Sequence, residues 1–246
     1  MSAEENGKQS RPVIQLRHIV KRFVQVPADS APKKQAPSYF TALDDISFDV
    51  FESECVLIAG ANGSGKSTFT EILRPSQMDY INADEIKKNL KCDDLEAAQI
   101  AERQREAYLS DKSEFCFETV LSTSRNLELL KRAREMGYFI RCYYVLTIDP
   151  IINVYRVKAR VASGGHDVPE EKIYARYDRA MALVPKVVAV SDICHIYDNS
   201  EEEPFRIFKK RKNVCFYDEC EDWQREKIET LTGIVDMERR DLNHRG

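Results

Sequence analysis

The chain has 246 residues, of which 43% are hydrophobic and 32% charged, and its net charge is −4. That size carries one sizeable core with room for an extension, and that composition excludes a wholly disordered chain. The mild negative charge excludes a broad basic surface for DNA or RNA, and the longest apolar runs (55–59 and 187–190) are far too short for a transmembrane helix.

Residues 1–12 are polar, carry no apolar signal core and read as a disordered tail of a protein that is not secreted. The seven cysteines are odd in number and scattered, which suits a reducing cytoplasm. Cys215 and Cys220 form the one close pair, without the His or second Cys pair that zinc needs.

Residues 13–26 are rich in β-branched side chains and predict one bent or two short strands. The proline-rich stretch 27–37 predicts a loop, and alternation over 46–51 predicts a strand with one wet face. From Cys55 the pattern changes to strands alternating with helices. Strands are expected at 55–59, 79–82, 114–118, 138–146 and 194–197. Helices are expected at 66–73, 84–90, 95–109, 150–161 and 169–183, with another capped by Ser124 and ended at Gly137. A hairpin is expected from 205–208 and 213–217, turning at the basic run 209–212. Trp223 opens a polar helix expected to dock on the core. The fold class that follows is α/β: a P-loop NTPase or kinase with a mainly parallel sheet flanked by helices, plus a small β-rich N-terminal extension. The division is an extension at 13–54, a core at 55–218 and a C-terminal helix and tail at 219–246.

The strongest signal is Gly60-Ala61-Asn62-Gly63-Ser64-Gly65-Lys66-Ser67, followed by Thr68. It fits the phosphate-binding loop pattern and lies between a buried strand and a helix. Three of the nine glycines fall here, letting successive backbone N–H groups face phosphate oxygens at a helix N-terminus. Lys66 is expected on the β- and γ-phosphates and Ser67 on Mg²⁺, so ATP and Mg²⁺ are the expected cofactors.

Two resemblances share this loop. "IQLRHIVKRF", "ALDDISFDV" and "VLIAGANGSGKST" resemble the opening of ABC-type ATPase domains over residues 13–68. That resemblance implies an aromatic residue stacked on adenine, one of Phe23, Tyr39 or Phe40. "ASGGH" (162–166) faintly echoes the ABC signature and "VVAVSD" (187–192) a Walker B strand. Ile193 stands where a hydrolytic ABC site needs Glu, and His166 departs from the signature.

The second resemblance, over 55–200, is to the zeta-toxin family of small P-loop kinases. "YINADEI", "FCFETVLST", "RVKARVASGGHDVPEEKIYARYDRA" and "IYDNS" carry it in the family's order. It implies transfer of the ATP γ-phosphate to a hydroxyl of a nucleotide sugar such as UDP-N-acetylglucosamine, with a separate antitoxin protein as partner. The ABC-like opening departs from that family, so the chain reads as a chimera joined at the P-loop. An ABC-type ATPase or ABC-like nucleotide-binding module is the alternative.

Within this frame Asp84 is the expected general base for the acceptor hydroxyl, although aspartate there equally suits a helix cap. Asn82 and Glu85 are expected to shape the same pocket. Glu118 and Thr119 end a strand, where open parallel sheets bind ligands, and are expected to touch the acceptor, with Ser122 or Thr123 nearby. Arg156, Arg160 and Arg176 flank a glycine turn and are expected to hold the transferring phosphoryl group, with Gly164 and Gly165 freeing a lid. Arg179 shares the segment, and Asp198 and Asn199 are expected on the adenine side.

Overall fold

The computed structural model describes residues 12–25, 38–51 and 53–239. The expected N-terminal tail and the loop at 27–37 lie outside them. β1 (Pro12–Gln25) and β2 (Ser38–Phe51) pair antiparallel into a two-stranded sheet, with register shifts that bend it. The 13–26 stretch is thus one long bent strand, and its partner is longer than the alternation at 46–51 suggested.

The rest builds one eight-stranded sheet. In chain order its elements begin with β3 (Glu54–Ala59), α1 (Lys66–Leu73), β4 (Asp79–Ile81), α2 (Ala83–Leu90), α3 (Asp94–Ser110), β5 (Phe115–Thr119) and α4 (Arg125–Glu135). Then come β6 (Phe139–Leu146), α5 (Pro150–Ala162), α6 (Glu170–Val190) and β7 (Ile193–Asp198). The chain closes with β8 (Phe205–Arg211), β9 (Val214–Tyr217), α7 (Arg225–Thr232) and β10 (Glu238–Arg239). The strand order is β10-β9-β8-β7-β6-β3-β5-β4. Strands β4, β5, β3, β6 and β7 run parallel, and β8 and β9 add an antiparallel edge.

The parallel strands are apolar because helices cover both faces. All six residues of β3 are buried. On one face Leu57, Phe117, Tyr144 and Ile196 pack with Leu130, Val184 and Val188 from α4 and α6. On the other, Val56, Ile58 and Tyr143 pack with Phe69 and Leu73 of α1, and Ile19 of β1 joins them. That second face also carries a buried ion pair between Arg141 and Glu54. Each charge offsets part of the cost of burying the other.

Two expectations fail in α6. The helix runs through Pro185 to Val190 instead of ending at 183. Proline removes one helical hydrogen bond, but Val184, Val187 and Val188 are fully buried against the sheet, and that burial holds the last turn in place. The "VVAVSD" segment is therefore helix and turn, not a Walker B strand. A smaller correction is Ser124, which sits at the start of α4 yet makes no capping bond. At the other end, the C-terminal segment docks firmly: Trp223 is 2% exposed and β10 adds a strand beside β9.

Candidate functional site

The site forms where β3, β5 and β6 end. The loop after β3 is tied across to β5 by a hydrogen bond from Gly60 N to Thr119 O at 3.3 Å. Gly65 has φ +92°, and a Cβ there would lie 2.2 Å from Asn199 Nδ2. Glycine is required, because Asn199 reaches across to donate to Ser64 O at 2.8 Å. The Ser64 hydroxyl is buried without a hydrogen-bond partner. α1 then rises from the loop with Lys66, Phe69, Thr70 and Leu73 on its buried stripe.

Lys66 is 8% exposed. Its Nζ lies 3.3 Å from Ala61 O and 3.8 Å from Glu118 Oε1. Burial pulls its pKa down; the carboxylates of Glu118 and Asp84 oppose that, and Arg160 and Arg176 reinforce it. Four of the residues expected in the site thus act electrostatically on one ammonium group.

Glu118 extends from the carboxyl end of β5 and is held by two donors. The Thr70 hydroxyl donates at 2.6 Å and the Tyr80 phenol at 3.0 Å. Asn82 Nδ2 in turn donates to the Tyr80 oxygen at 2.7 Å. Burial and the Glu118 charge push the Tyr80 pKa upward, so the phenol keeps its proton and remains a donor. Thr70 and Tyr80 escaped the sequence reading. Thr70 stands one helical turn after Lys66, which puts both on one face, but nothing in the sequence pairs Tyr80 with Glu118.

Asp84 lies in the first turn of α2 and is exposed. The helix cap is Asn82, whose side chain accepts from Asp84 N at 2.8 Å. The Asp84 carboxylate is therefore not consumed by capping. Thr119 Oγ1 accepts from Leu121 N at 3.1 Å and Asn126 Nδ2 at 2.9 Å, fixing the turn after β5.

The arginines lie on the two helices that bracket the turn at 163–169. Arg156 of α5 donates to Asn199 O at 2.6 Å and Ser200 O at 3.1 Å. Arg160 donates to His166 O at 2.8 Å. Arg176 of α6 donates to Asn62 Oδ1 at 3.1 Å, joining this segment to the phosphate loop.

A cavity of about 550 Å³ opens between these parts. Asn62, Gly63, Gly65, Lys66 and Ser67 line it from the loop and α1, and Asn82, Asp84, Glu118 and Thr119 from the start of α2 and the end of β5. Arg156, Arg160 and Arg176 close it from the helices, and Ser122 and Thr123 reach it as well. Gly60, Ala61 and Ser64 support the loop from behind. Glu85 and Arg179 are exposed and do not line the cavity. A second cavity of about 350 Å³ lies past Gly65, walled by Thr68, Phe69, Ile72, Asn199, Glu201 and Glu202. Asp198 does not reach it. It binds Trp223 Nε1 at 2.9 Å and the Ser200 hydroxyl, and so secures the C-terminal segment.

The side chains of Phe23, Tyr39 and Phe40 lie outside the described structure; their backbones belong to β1 and β2. The Walker B echo also fails by position. Asp192 accepts from Ile140 N at the amino ends of β6 and β7, across the sheet from the P-loop.

The donor set fits the groups that the P-loop implies. A glycine-built cradle, a buried lysine and a buried Ser64 hydroxyl without a partner suit a triphosphate. The exposed Ser67 hydroxyl, beside the Glu118 and Asp84 carboxylates on the same cavity, offers the oxygen donors Mg²⁺ takes. Among the described residues, no helix is long and apolar enough to cross a membrane.

An uncharacterised protein of Haemophilus influenzae is 29% identical over 133 residues, covering 52% of this chain and 95% of that protein. The teichoic acids export ATP-binding protein TagH of Listeria monocytogenes is 50% identical over 42 residues, covering 17% of this chain and 12% of TagH. Among solved structures, that of AvrRxo1-ORF1:-ORF2 with ATP superposes with a TM-score of 0.58 at 13% identity, covering 73% of this chain. The chain spans 63% of that structure, and the likeness is one of fold. The ABC transporter family model matches residues 43–244, a span that holds the P-loop, the cavity and both arginine-bearing helices. On that match the chain belongs to the ABC transporter family.

Proposed function

We propose that this family member is an ATP-dependent phosphotransferase of the zeta-toxin type that acts on the hydroxyl of a small molecule. One observation carries the reading. The cavity at the P-loop gathers two carboxylates, Asp84 and Glu118, and the arginines Arg156, Arg160 and Arg176 around Lys66, whose ammonium group feels charges of both signs. Phosphoryl transfer needs both: an aimed nucleophile and fixed positive charge.

ATP would lie with its phosphates in the 60–68 loop and its base toward the second cavity. Asp84 takes the proton of the acceptor hydroxyl as that oxygen bonds to the γ-phosphorus. The bond from the γ-phosphorus to the β–γ bridging oxygen breaks, and ADP leaves with that oxygen. Lys66, Arg160 and Arg176 offset the charge on the transferring oxygens, and Arg156 orders the segment at 199–200. Glu118, held by Thr70 and Tyr80, orients the acceptor or a water. Bound at Ser67, Mg²⁺ would neutralise phosphate charge.

The acceptor we favour is a nucleotide sugar such as UDP-N-acetylglucosamine, and the setting is the cytoplasm with a separate antitoxin-like partner. The test is transfer from γ-labelled ATP to a panel of UDP-sugars, nucleosides and 5′-hydroxyl oligonucleotides. Asp84→Asn should cut transfer by about 10²-fold while sparing ATP binding. Unchanged transfer would remove Asp84 from its role as base.

The family match favours a second reading, an ABC-type ATPase that dimerises around nucleotide. Against it, Asp192 lies at the amino ends of β6 and β7, opposite the strand ends that carry the P-loop, and Ile193 follows it. Sedimentation with ATP and Mg²⁺ separates the two: a dimer supports the ABC reading, a monomer with labelled acceptor the kinase reading.

A further inference from the structure

Resting on the phosphotransferase reading and its phosphate-bearing acceptor, we propose that Arg105 of α3 is the residue that binds the acceptor's phosphate. Ala98, Ala101, Glu102 and Arg105 all line the large cavity. Their spacing of three and four puts them on one stripe of the helix, about 10 Å long at 1.5 Å per residue. The two alanines leave room, and the arginine stands at the end of the stripe.

Arg105 is the unspent charge of this wall. Among the described residues it donates no hydrogen bond and forms no ion pair; its one specific contact is stacking, with its Cζ 5.4 Å from the centre of the Phe117 ring. The carboxylates that could neutralise it are engaged elsewhere. Glu106 is held by both terminal nitrogens of Arg132 at 3.0 and 2.5 Å, and Glu102 lies 3.6 Å from Arg125. Burial lowers the Arg105 pKa, yet a guanidinium remains charged at neutral pH. A partly buried cation with unused donors on a cavity wall costs free energy unless a ligand pairs with it. Its planar fork matches phosphate oxygens, and stacking on Phe117 holds the plane in place. The cations Lys66, Arg160 and Arg176 line the same cavity from α1, α5 and α6 and Arg105 lines it from α3, so one space offers cations on separate walls for two anionic groups. An ATP molecule uses the first three, and the acceptor's own phosphate uses Arg105.

The experiment pairs acceptors with and without phosphate: UDP-N-acetylglucosamine with N-acetylglucosamine, ribose 5-phosphate with ribose, and glycerol 3-phosphate with glycerol. Label from γ-labelled ATP should collect on a phosphate-bearing member and spare its neutral partner. Arg105→Gln should raise KM for that acceptor by about 30-fold, Arg105→Lys by less, and Arg103→Gln, exposed on the same helix, should change nothing. Equal labelling of a neutral partner, or an unchanged KM in Arg105→Gln, overturns the proposal. If no acceptor is labelled, the phosphotransferase reading fails, and binding decides the Arg105 site separately. With the P-loop saturated by a non-hydrolysable ATP analogue, inorganic pyrophosphate should bind the wild type and bind Arg105→Gln at least about 10-fold more weakly. No binding to the wild type, or equal binding to the variant, overturns the site.

Discussion

The phosphate loop and the arginine-bearing lid face each other across one cavity, and they are built in opposite ways. The loop is packed from behind. Lys66 is nearly buried, Gly65 leaves no room for a Cβ, and Asn199 and Thr119 tie the loop to the ends of β7 and β5. The lid is open: Arg160 is exposed and bonded to a carbonyl in its own turn, and Gly164 has nothing within 4 Å of a Cβ position. The loop end is preorganised, while Arg156 and Arg160 rest on backbone oxygens and Arg176 on the Asn62 side-chain oxygen, contacts that the proposed phosphoryl group would replace. The same division of labour, rigid cradle and adaptable closure, lets charge stabilisation arrive with the substrate.

The largest expected effect tests the rigid side. Lys66→Ala should lower phosphoryl transfer by about 10³-fold or more, measured with labelled ATP, because among the described residues no other buried cation serves the loop. Next come the lid arginines, where the contrast sharpens. Arg160→Ala should cut kcat by about 10²-fold with little change in Tm, since it breaks one exposed bond. Arg156→Ala should cost both kcat and Tm, because two of its bonds hold Asn199 and Ser200. Equal thermal shifts for the two variants would erase the distinction drawn here.

A pair of glycines gives a smaller and cleaner comparison. Gly65→Ala collides with Asn199 and should weaken ATP binding by more than about 10-fold in a titration. Gly164→Ala has equal backbone strain but open space, so its cost of about 1 kcal/mol should appear in turnover and not in ATP affinity.

The smallest effect lies away from both regions. Burial raises the Asp218 pKa to about 6, partly offset by Arg206 and Lys209. A carboxyl raised in the folded state binds its proton more tightly there than in the unfolded chain. Its contribution is therefore fully present below the unfolded value near 4 and is lost as pH rises through 6. Asp218→Asn should flatten the dependence of Tm on pH across that window, and an unchanged slope would mean that the folded-state pKa is not raised.

Much of the site could be read from sequence because its chemistry is local. The P-loop is a contiguous run whose glycines and lysine have meaning only in that order, and the strand before it is an unbroken apolar stretch. The helix ends were harder to read. Pro185 looks like a stop signal, and only burial of the valines around it keeps α6 going to Val190. That Asn82, and not Asp84, caps α2 rests on a single hydrogen bond from the Asp84 amide to the Asn82 side chain. The Tyr80–Glu118–Thr70 cluster joins three elements that lie 38 and 48 residues from Glu118 along the chain, so no spacing rule could find it.

By itself, then, the sequence determined the α/β alternation and the phosphate loop, because periodicity and short motifs are properties of neighbouring residues. Tertiary structure alone decided which charges meet. It set Glu118 beside Lys66, put Asp192 at the amino ends of the strands, left Glu85 outside the cavity and, among the described residues, left Arg105 with no ion pair inside it. The physical reason is that a charge acts through distances of a few ångströms in space, and those distances are fixed only when the strands take their order in the sheet.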